Sequence, residues 1–155
     1  MPTLAYNKRA NYDYEITETY EAGLVLSGQE VKSIKSGHIS MKGSFVTVKA
    51  TDKELPDLYL VNSFVPPYKF ASKLADYDPY HSRKLLLHKN QIRHLLGKKA
   101  EQGLTLVPIK IYTKKSLIKL EFGVGKGKKE IDKRETIKRR DVDRNIRTIL
   151  KNKRA

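Results

Sequence analysis

The stretch from Leu104 to Phe122 constrains this chain more than any other. In LTLVPIKIY, Leu104, Leu106 and Pro108 fall on one face of an extended chain, with Val107, Ile109 and Ile111 near the other. Lys114-Lys115 is a short polar turn, and SLIKLEF, Ser116 to Phe122, returns as a second strand. Two such runs around a short turn predict an antiparallel hairpin. Pro108 has no N–H to give to a ladder, so it marks an edge or a bulge.

Other segments extend the same pattern. Tyr12, Tyr14 and Ile16 alternate with Asp13, Glu15 and Thr17, the period of a half-buried strand that continues after Gly23 into Leu24-Val25-Leu26. Phe45, Val46 and Val48 predict another strand, and Leu58 to Val61 a further one, with Pro66-Pro67 ending the extended stretch beyond it. One segment is helical: from His88 to Gln102, Ile92, Leu95, Leu96 and Ala100 share a stripe, and Gly103 ends it. A shorter helix fits Gln29 to Ser36. Five or six short strands with few helices predict a mainly β chain, an OB-fold-type antiparallel barrel with about three short helices; an SH3-like barrel is the alternative. One domain suits the 155 residues.

Charge narrows the function. The formal net charge is +15, far beyond what folding needs, so a polyanionic partner is expected: nucleic acid first, an anionic membrane surface second. Cysteine is absent, which removes disulfides, thiolate metal sites and thiol nucleophiles together. Met1 to Asp13 shows no apolar core of a signal peptide, and no apolar run approaches the roughly 20 residues of a membrane helix. The chain reads as cytoplasmic.

The basic surplus is uneven. Residues 126–155 hold 13 basic and 5 acidic side chains. With Gly123, Gly125 and Gly127 this predicts a boundary there: a barrel over 1–125 and a basic tail over 126–155. Val142, Ile146, Ile149 and Leu150 would share one stripe of a helix, and Arg140, Arg144, Arg147 and Lys151 a separate basic row. The tail reads either as a solvated, disordered terminus or as a segment that folds on RNA; the two are compatible. A membrane-surface helix fits less well, because the stripe is narrow and lacks Trp and Phe.

No constellation of catalytic residues stands out. His38, His81, His88 and His94 lack metal-ligand spacing, and Asp76 and Asp78 in ADYDPYHSRK read as a loop with a turn at Asp78-Pro79. Neither an enzyme activity nor a cofactor or metal is expected. Gly125-Lys126-Gly127-Lys128-Lys129 would let backbone and lysines approach phosphates, and Arg83-Lys84 sets two cations beside apolar Leu85-Leu86-Leu87. Glu30 has two readings: an acid favoured at a helix start, or a carboxylate that bonds RNA donors.

Asn7-Lys8-Arg9-Ala10, Tyr20-Glu21-Ala22-Gly23, Gly28-Gln29-Glu30-Val31-Lys32-Ser33, the run from Asp78-Pro79 to Leu87, and Gly123 through Lys129 to Asp132-Lys133-Arg134 occur in this order. In that series the chain resembles the small protein B (SsrA-binding protein) family along essentially its whole length. The resemblance implies a non-catalytic monomer whose barrel holds the tRNA-like domain of transfer-messenger RNA. It implies delivery, with elongation factor Tu acting through the RNA, to stalled ribosomes for trans-translation. The protein would stand in for the missing anticodon arm, with its tail helical in the empty message channel of the small-subunit decoding region. The RNA-binding positions expected are Glu30, Lys32, Arg83, Lys84, Leu86, His88, Lys119, Lys126, Lys128 and Lys129. The ribosome-binding ones are Asp132, Lys133, Arg134, Lys138, Arg139, Arg140, Ile149 and Leu150. His88 stands where some relatives carry Asn, and Val142 where some carry a large aromatic. The rival reading is a ribosomal-type structural protein that uses the same basic barrel and tail.

Overall fold

A computed structural model describes residues 2–69, 76–99 and 103–128. The chain runs β1 (Thr3–Tyr6), α1 (Ala10–Asp13), β2 (Tyr14–Leu24), α2 (Gly28–Lys35), β3 (Phe45–Lys49), β4 (Asp57–Val61), β5 (Arg83–Leu86), α3 (Lys89–Lys99), β6 (Leu104–Lys114) and β7 (Leu117–Gly127).

The hairpin of β6 and β7 is its spine. It pairs from Lys114 opposite Leu117 to Leu104 opposite Lys126. The turn is Lys115-Ser116, one position later than the lysine pair suggests, with φ of +50° and +66°. Two left-handed residues match the twist of the flanking strands, which is why this turn closes the hairpin without Gly. The proline expectation holds: the register shifts between Pro108 and Lys110, a bulge. The carbonyls around it are used, since the Asn7 side-chain amide donates to Pro108 O at 2.8 Å and the Asn7 N–H to Ile109 O at 2.7 Å.

All pairings are antiparallel, in the order β1-β6-β7-β2-β5-β4-β3. The sheet curls until parts of β3 and β6 come within 8 Å, without a ladder joining them among the described residues. The result is a seven-stranded, partly open barrel with three helices. β1 and β5 were not legible as strands, because four residues each are too few to show a period. The alternation around Tyr12 misplaces a boundary: Ala10–Asp13 form one helical turn before β2 begins. The Asn7 side chain accepts the Arg9 N–H, and the Arg9 guanidinium holds Asp13 one turn on.

The inner face carries the main core. Leu60, Ile111, Leu120, Phe122 and Val124 lose all exposure there, with Ile34 of α2 and Leu95 of α3 inserted from outside the sheet. The stripe read on α3 therefore faces the barrel, although Ala100 to Gln102 lie outside the described residues. The Gln91 side chain accepts the His88 N–H at 3.1 Å, satisfying a helix-start donor.

A second, smaller core lies on the outer face, where Ala10 of α1 meets Val107 and Ile109, with Tyr14 and Ile16 beside them. This explains two glycines. A Cβ on Gly123 would lie 2.6 Å from Ile16 Cγ2 and 2.9 Å from Glu18 O, and one on Gly125 3.0 Å from Ile16 Cδ1 and 3.1 Å from Glu15 O. Both belong to the strand, as landing space for Ile16, and β7 continues past them to Gly127. Gly123→Ala should therefore lower stability by about 1–3 kcal/mol, the usual cost of overpacking. Thermal unfolding checks it; a melting temperature equal to that of the unmodified chain would mean that Ile16 moves aside freely.

Candidate nucleic-acid interface

Ser27 caps α2 and Glu30 stands at its third position. The Ser27 hydroxyl accepts the Glu30 N–H at 3.3 Å, and Glu30 Oε1 accepts the Ser27 N–H at 3.0 Å, a reciprocal cap. The helix-start reading of Glu30 thus holds, and its second oxygen does more. Glu30 is 3% exposed and Arg83 1%, and their side chains pair at 2.6 Å. The rest of the guanidinium is fully used: Nη1 donates to Ser63 O, Ser63 Oγ and His81 O, and Nη2 to Pro79 O and the Tyr77 hydroxyl. Tyr77 in turn donates to Val65 O at 2.7 Å, His81 Nε2 lies 2.9 Å from Glu30 Oε2, and Ser33 donates to Pro66 O at 2.9 Å. One buried ion pair therefore joins α2, the chain around 63–66, the turn at 77–81 and β5.

Burial by itself would raise the Glu30 carboxyl. The Ser27 N–H, the Arg83 guanidinium and His81 outweigh it and hold the group below its ordinary value of 4.5. Glu30 and Arg83, expected to touch RNA, are thus interior residues that hold other residues in place. The pairing spans 53 positions, and nothing in the local sequence signals it.

What they place is β5, and with it a row on the outer face. Leu86 lies opposite Gly23 of β2, which lies opposite Lys119 of β7, which lies opposite Tyr112 of β6. Leu86 is 54% exposed. Lys84 also faces out, half-exposed, and holds Asp57 at 3.6 Å. Further along the face Glu21 stands opposite Glu121, and this like-charge pair is balanced locally: the Tyr112 hydroxyl and Lys114 take Glu21, and Lys110 takes Glu121 at 3.6 Å. Lys119 enters no ion pair among the described residues. His88, exposed at the start of α3, follows Leu86 by two positions.

The other expected positions are not gathered here. Lys32 is exposed on α2, its ammonium 5.7 Å from the Tyr68 ring. Lys126 lies seven residues along β7 from Lys119, about 23 Å, and on the opposite face. Lys128 is fixed at that far end: its N–H donates to Asp13 O at 2.8 Å and its ammonium to Asn11 O at 2.7 Å. The turn at Asp78 is present, with Asp78 Oδ1 accepting the Tyr80 N–H at 2.9 Å. Lys129 and every ribosome-binding position expected, from Asp132 to Leu150, lie outside the described residues.

The family model described as SmpB protein matches residues 4–152. The chain belongs to the SmpB family. It is 48% identical to the SsrA-binding protein of Geobacillus kaustophilus over 92% of this chain and 88% of that one. It is 46% identical to that of Persephonella marina over 99% and 97%. A chain from a solved structure concerning tmRNA-SmpB and the center of the bacterial ribosome matches with a TM-score of 0.62 and 46% identity, over 81% of this chain and 84% of that one. SmpB is a family of RNA-binding proteins, which settles the polyanion that charge left open. No helix among the described residues is long and apolar enough to cross a membrane.

Glu30→Gln keeps the shape and strands a buried guanidinium, so it should cost about 3–5 kcal/mol at neutral pH. Because the folded carboxyl titrates below 4.5, its stabilisation is complete above that pH and is lost as pH falls through the lowered folded value. Urea midpoints of the two proteins should accordingly converge below pH 4.5. A gap that stays constant from pH 7 to pH 3 would show that the charge of Glu30 is not what holds Arg83.

Proposed function

We propose that this chain binds the tRNA-like domain of transfer-messenger RNA and carries it to stalled ribosomes for trans-translation, as a non-catalytic cytoplasmic adaptor. The observation that carries this reading is membership of the SmpB family over residues 4–152, in which the similar proteins are named for binding SsrA and a matching solved chain belongs to a tmRNA-SmpB study of the ribosome. The outer row supports it chemically. Leu86 offers an apolar surface to a sugar or base, while Lys84 and Lys119 supply charge for the backbone. Shape recognition of this kind suits folded RNA, whose deep major groove side chains do not read. His88 adds donors at the row's edge.

Residues 126–155 form the second functional part in this proposal. Asp132, Lys133, Arg134, Lys138, Arg139, Arg140, Ile149 and Leu150 act at the small-subunit decoding region, with the tail helical in the empty message channel. Elongation factor Tu is engaged through the RNA. Lys126 and Lys128 belong with this end rather than with the Leu86 row, since β7 separates the two.

Pull-down of the full chain from bacterial lysate, with sequencing of the bound RNA, tests the assignment. One discrete small RNA should dominate. Stoichiometric recovery with every ribosome would overturn the adaptor in favour of a structural ribosomal protein. With about five phosphate contacts, log affinity should fall with log salt at a slope of a few units, and a flat response would remove the electrostatic contribution.

Ending the chain after Lys128 keeps its bonds to Asp13 and Asn11, so RNA affinity should fall less than about tenfold while peptide tagging of stalled products is lost. Tagging that survives the truncation would refute the role of the tail.

A further inference from the structure

A histidine ring presents one N–H donor or two, according to its proton. His81 is placed where that difference counts. Its Nε2 lies 2.9 Å from Glu30 Oε2 and its Nδ1 3.1 Å from Ser82 O. The first partner is a carboxylate held below 4.5, and therefore ionised, and the second is a main-chain carbonyl. Both are acceptors only. A neutral ring carries a single N–H and leaves one of the two oxygens facing a lone pair, whereas the imidazolium serves both. Turning the ring over puts carbons against the same oxygens, so no flip removes the conflict. His94 is the contrast: among the described residues only its Nε2 has a hydrogen-bond partner, Glu18 at 2.8 Å, and a neutral ring satisfies that.

We propose that His81 is a positioning residue that acts through its second ring proton: doubly protonated it ties the 77–81 turn to α2, and its deprotonation weakens RNA binding. The side chain is 39% exposed, so the proton exchanges with solvent. The turn matters because Arg83 depends on it. Arg83 Nη1 donates to His81 O, and Nη2 to Pro79 O and the Tyr77 hydroxyl. Arg83 in turn opens β5, so a turn that shifts takes acceptors from the residue that holds that strand. Among the described residues, Glu30 of α2 and Arg83 of β5 face the ring. From its own turn come Tyr77, edge-on at 6.0 Å, and Asp78, whose carbonyl accepts the His81 N–H. Arg83 repels a second cation, while Glu30 Oε2, bonded to both, attracts it. With Glu30 held below 4.5 and burial pushing Tyr77 above 10, neither titrates where imidazole does. The bonded form of the ring is the protonated one, so its contribution is complete at the acid end of the imidazole range and is lost as pH rises. The inference rests on the RNA-binding reading above and adds a pH dependence to it.

The test uses the full chain beside His81→Arg, whose charge does not titrate, and His81→Gln, which has none. Each is measured for binding a transcript of the tRNA-like domain of transfer-messenger RNA, with an unrelated duplex RNA at the same salt, from about pH 6 to about pH 8.5. Across that range the unmodified chain should lose about fivefold in affinity relative to His81→Arg, while His81→Gln should bind weakly throughout. The other three histidines are present in all three proteins, so this ratio isolates the His81 ring. A ratio that does not change with pH would overturn the proposal. Nitrogen NMR of the unmodified chain needs no variant to fold. At the pH of tightest binding both ring nitrogens of His81 should carry a proton, and a single protonated nitrogen there would equally overturn it. Failure of the unmodified chain to prefer the tRNA-like domain over the duplex would instead overturn the functional reading on which the inference rests.

Discussion

Much of the structure depends on a charge that has no access to water. Arg83 is the largest of the fully buried side chains, and a guanidinium in that position is tolerable only if its charge is matched and its donors are used. Glu30 supplies the charge, while Ser63, Tyr77, Pro79 and His81 supply the acceptors. Strand β5 is four residues long, with short ladders to β2 and β4. So short a strand specifies its register weakly, and a slip of one residue would turn Leu86 inward and Leu85 outward. The ion pair removes that freedom. It also fixes two connecting segments, 63–66 and 77–81, that lie outside the named strands and helices and are otherwise held by a bridge between Phe64 and Ser40 and a bond from the Val65 N–H to Pro79 O.

The outer face of the sheet is divided by the same logic. Toward Gly127 it is covered, since Ile16 lies on strand glycines and Ala10 of α1 on Val107 and Ile109, closing a small second core. Toward the β6–β7 turn it is open, with its acids and most of its lysines paired to one another. A surface left open in a chain of net charge +15 need not be uniformly positive to bind a polyanion. Tyr112, Lys114 and Lys110 take up Glu21 and Glu121, so Lys119, whose charge also acts on Glu21, is left without a direct ion pair among the described residues. The location of such a cation bears on where a backbone can approach.

Periodicity made the long elements legible. The β6–β7 hairpin, the strands at Phe45 and Leu58, and helix α3 all carry enough residues for a period to show, and Pro108 announced its bulge through the donor it lacks. Elements of four residues were out of reach, so β1, α1 and β5 were missed or blurred. The bulges were a second obstacle. Extra residues near Thr17 in β2 and Ile109 in β6 switch which positions face inward, and no alternation count anticipates the switch. Glu30 and Arg83 were identified as important, yet their partnership across 53 residues could only be found in space. Gly123, Gly125 and Gly127 show the opposite error: they suggested a boundary, and the strand runs through all three, with Gly123 and Gly125 packed against Ile16.

The far end of β7 gives the chain its reach. Lys119 and Lys126 lie about 23 Å apart on one strand and on opposite faces, so no single phosphate group meets both. Lys128 is tied to α1 through both its backbone and its side chain, which sets a rigid point where the barrel hands over to residues 129–155. In the proposed function one contact surface lies on the open half of the barrel, and a second, densely basic one begins at a fixed distance and direction from it. That separation is what an adaptor between two large RNAs requires, because occupation of the first surface leaves the second unobstructed.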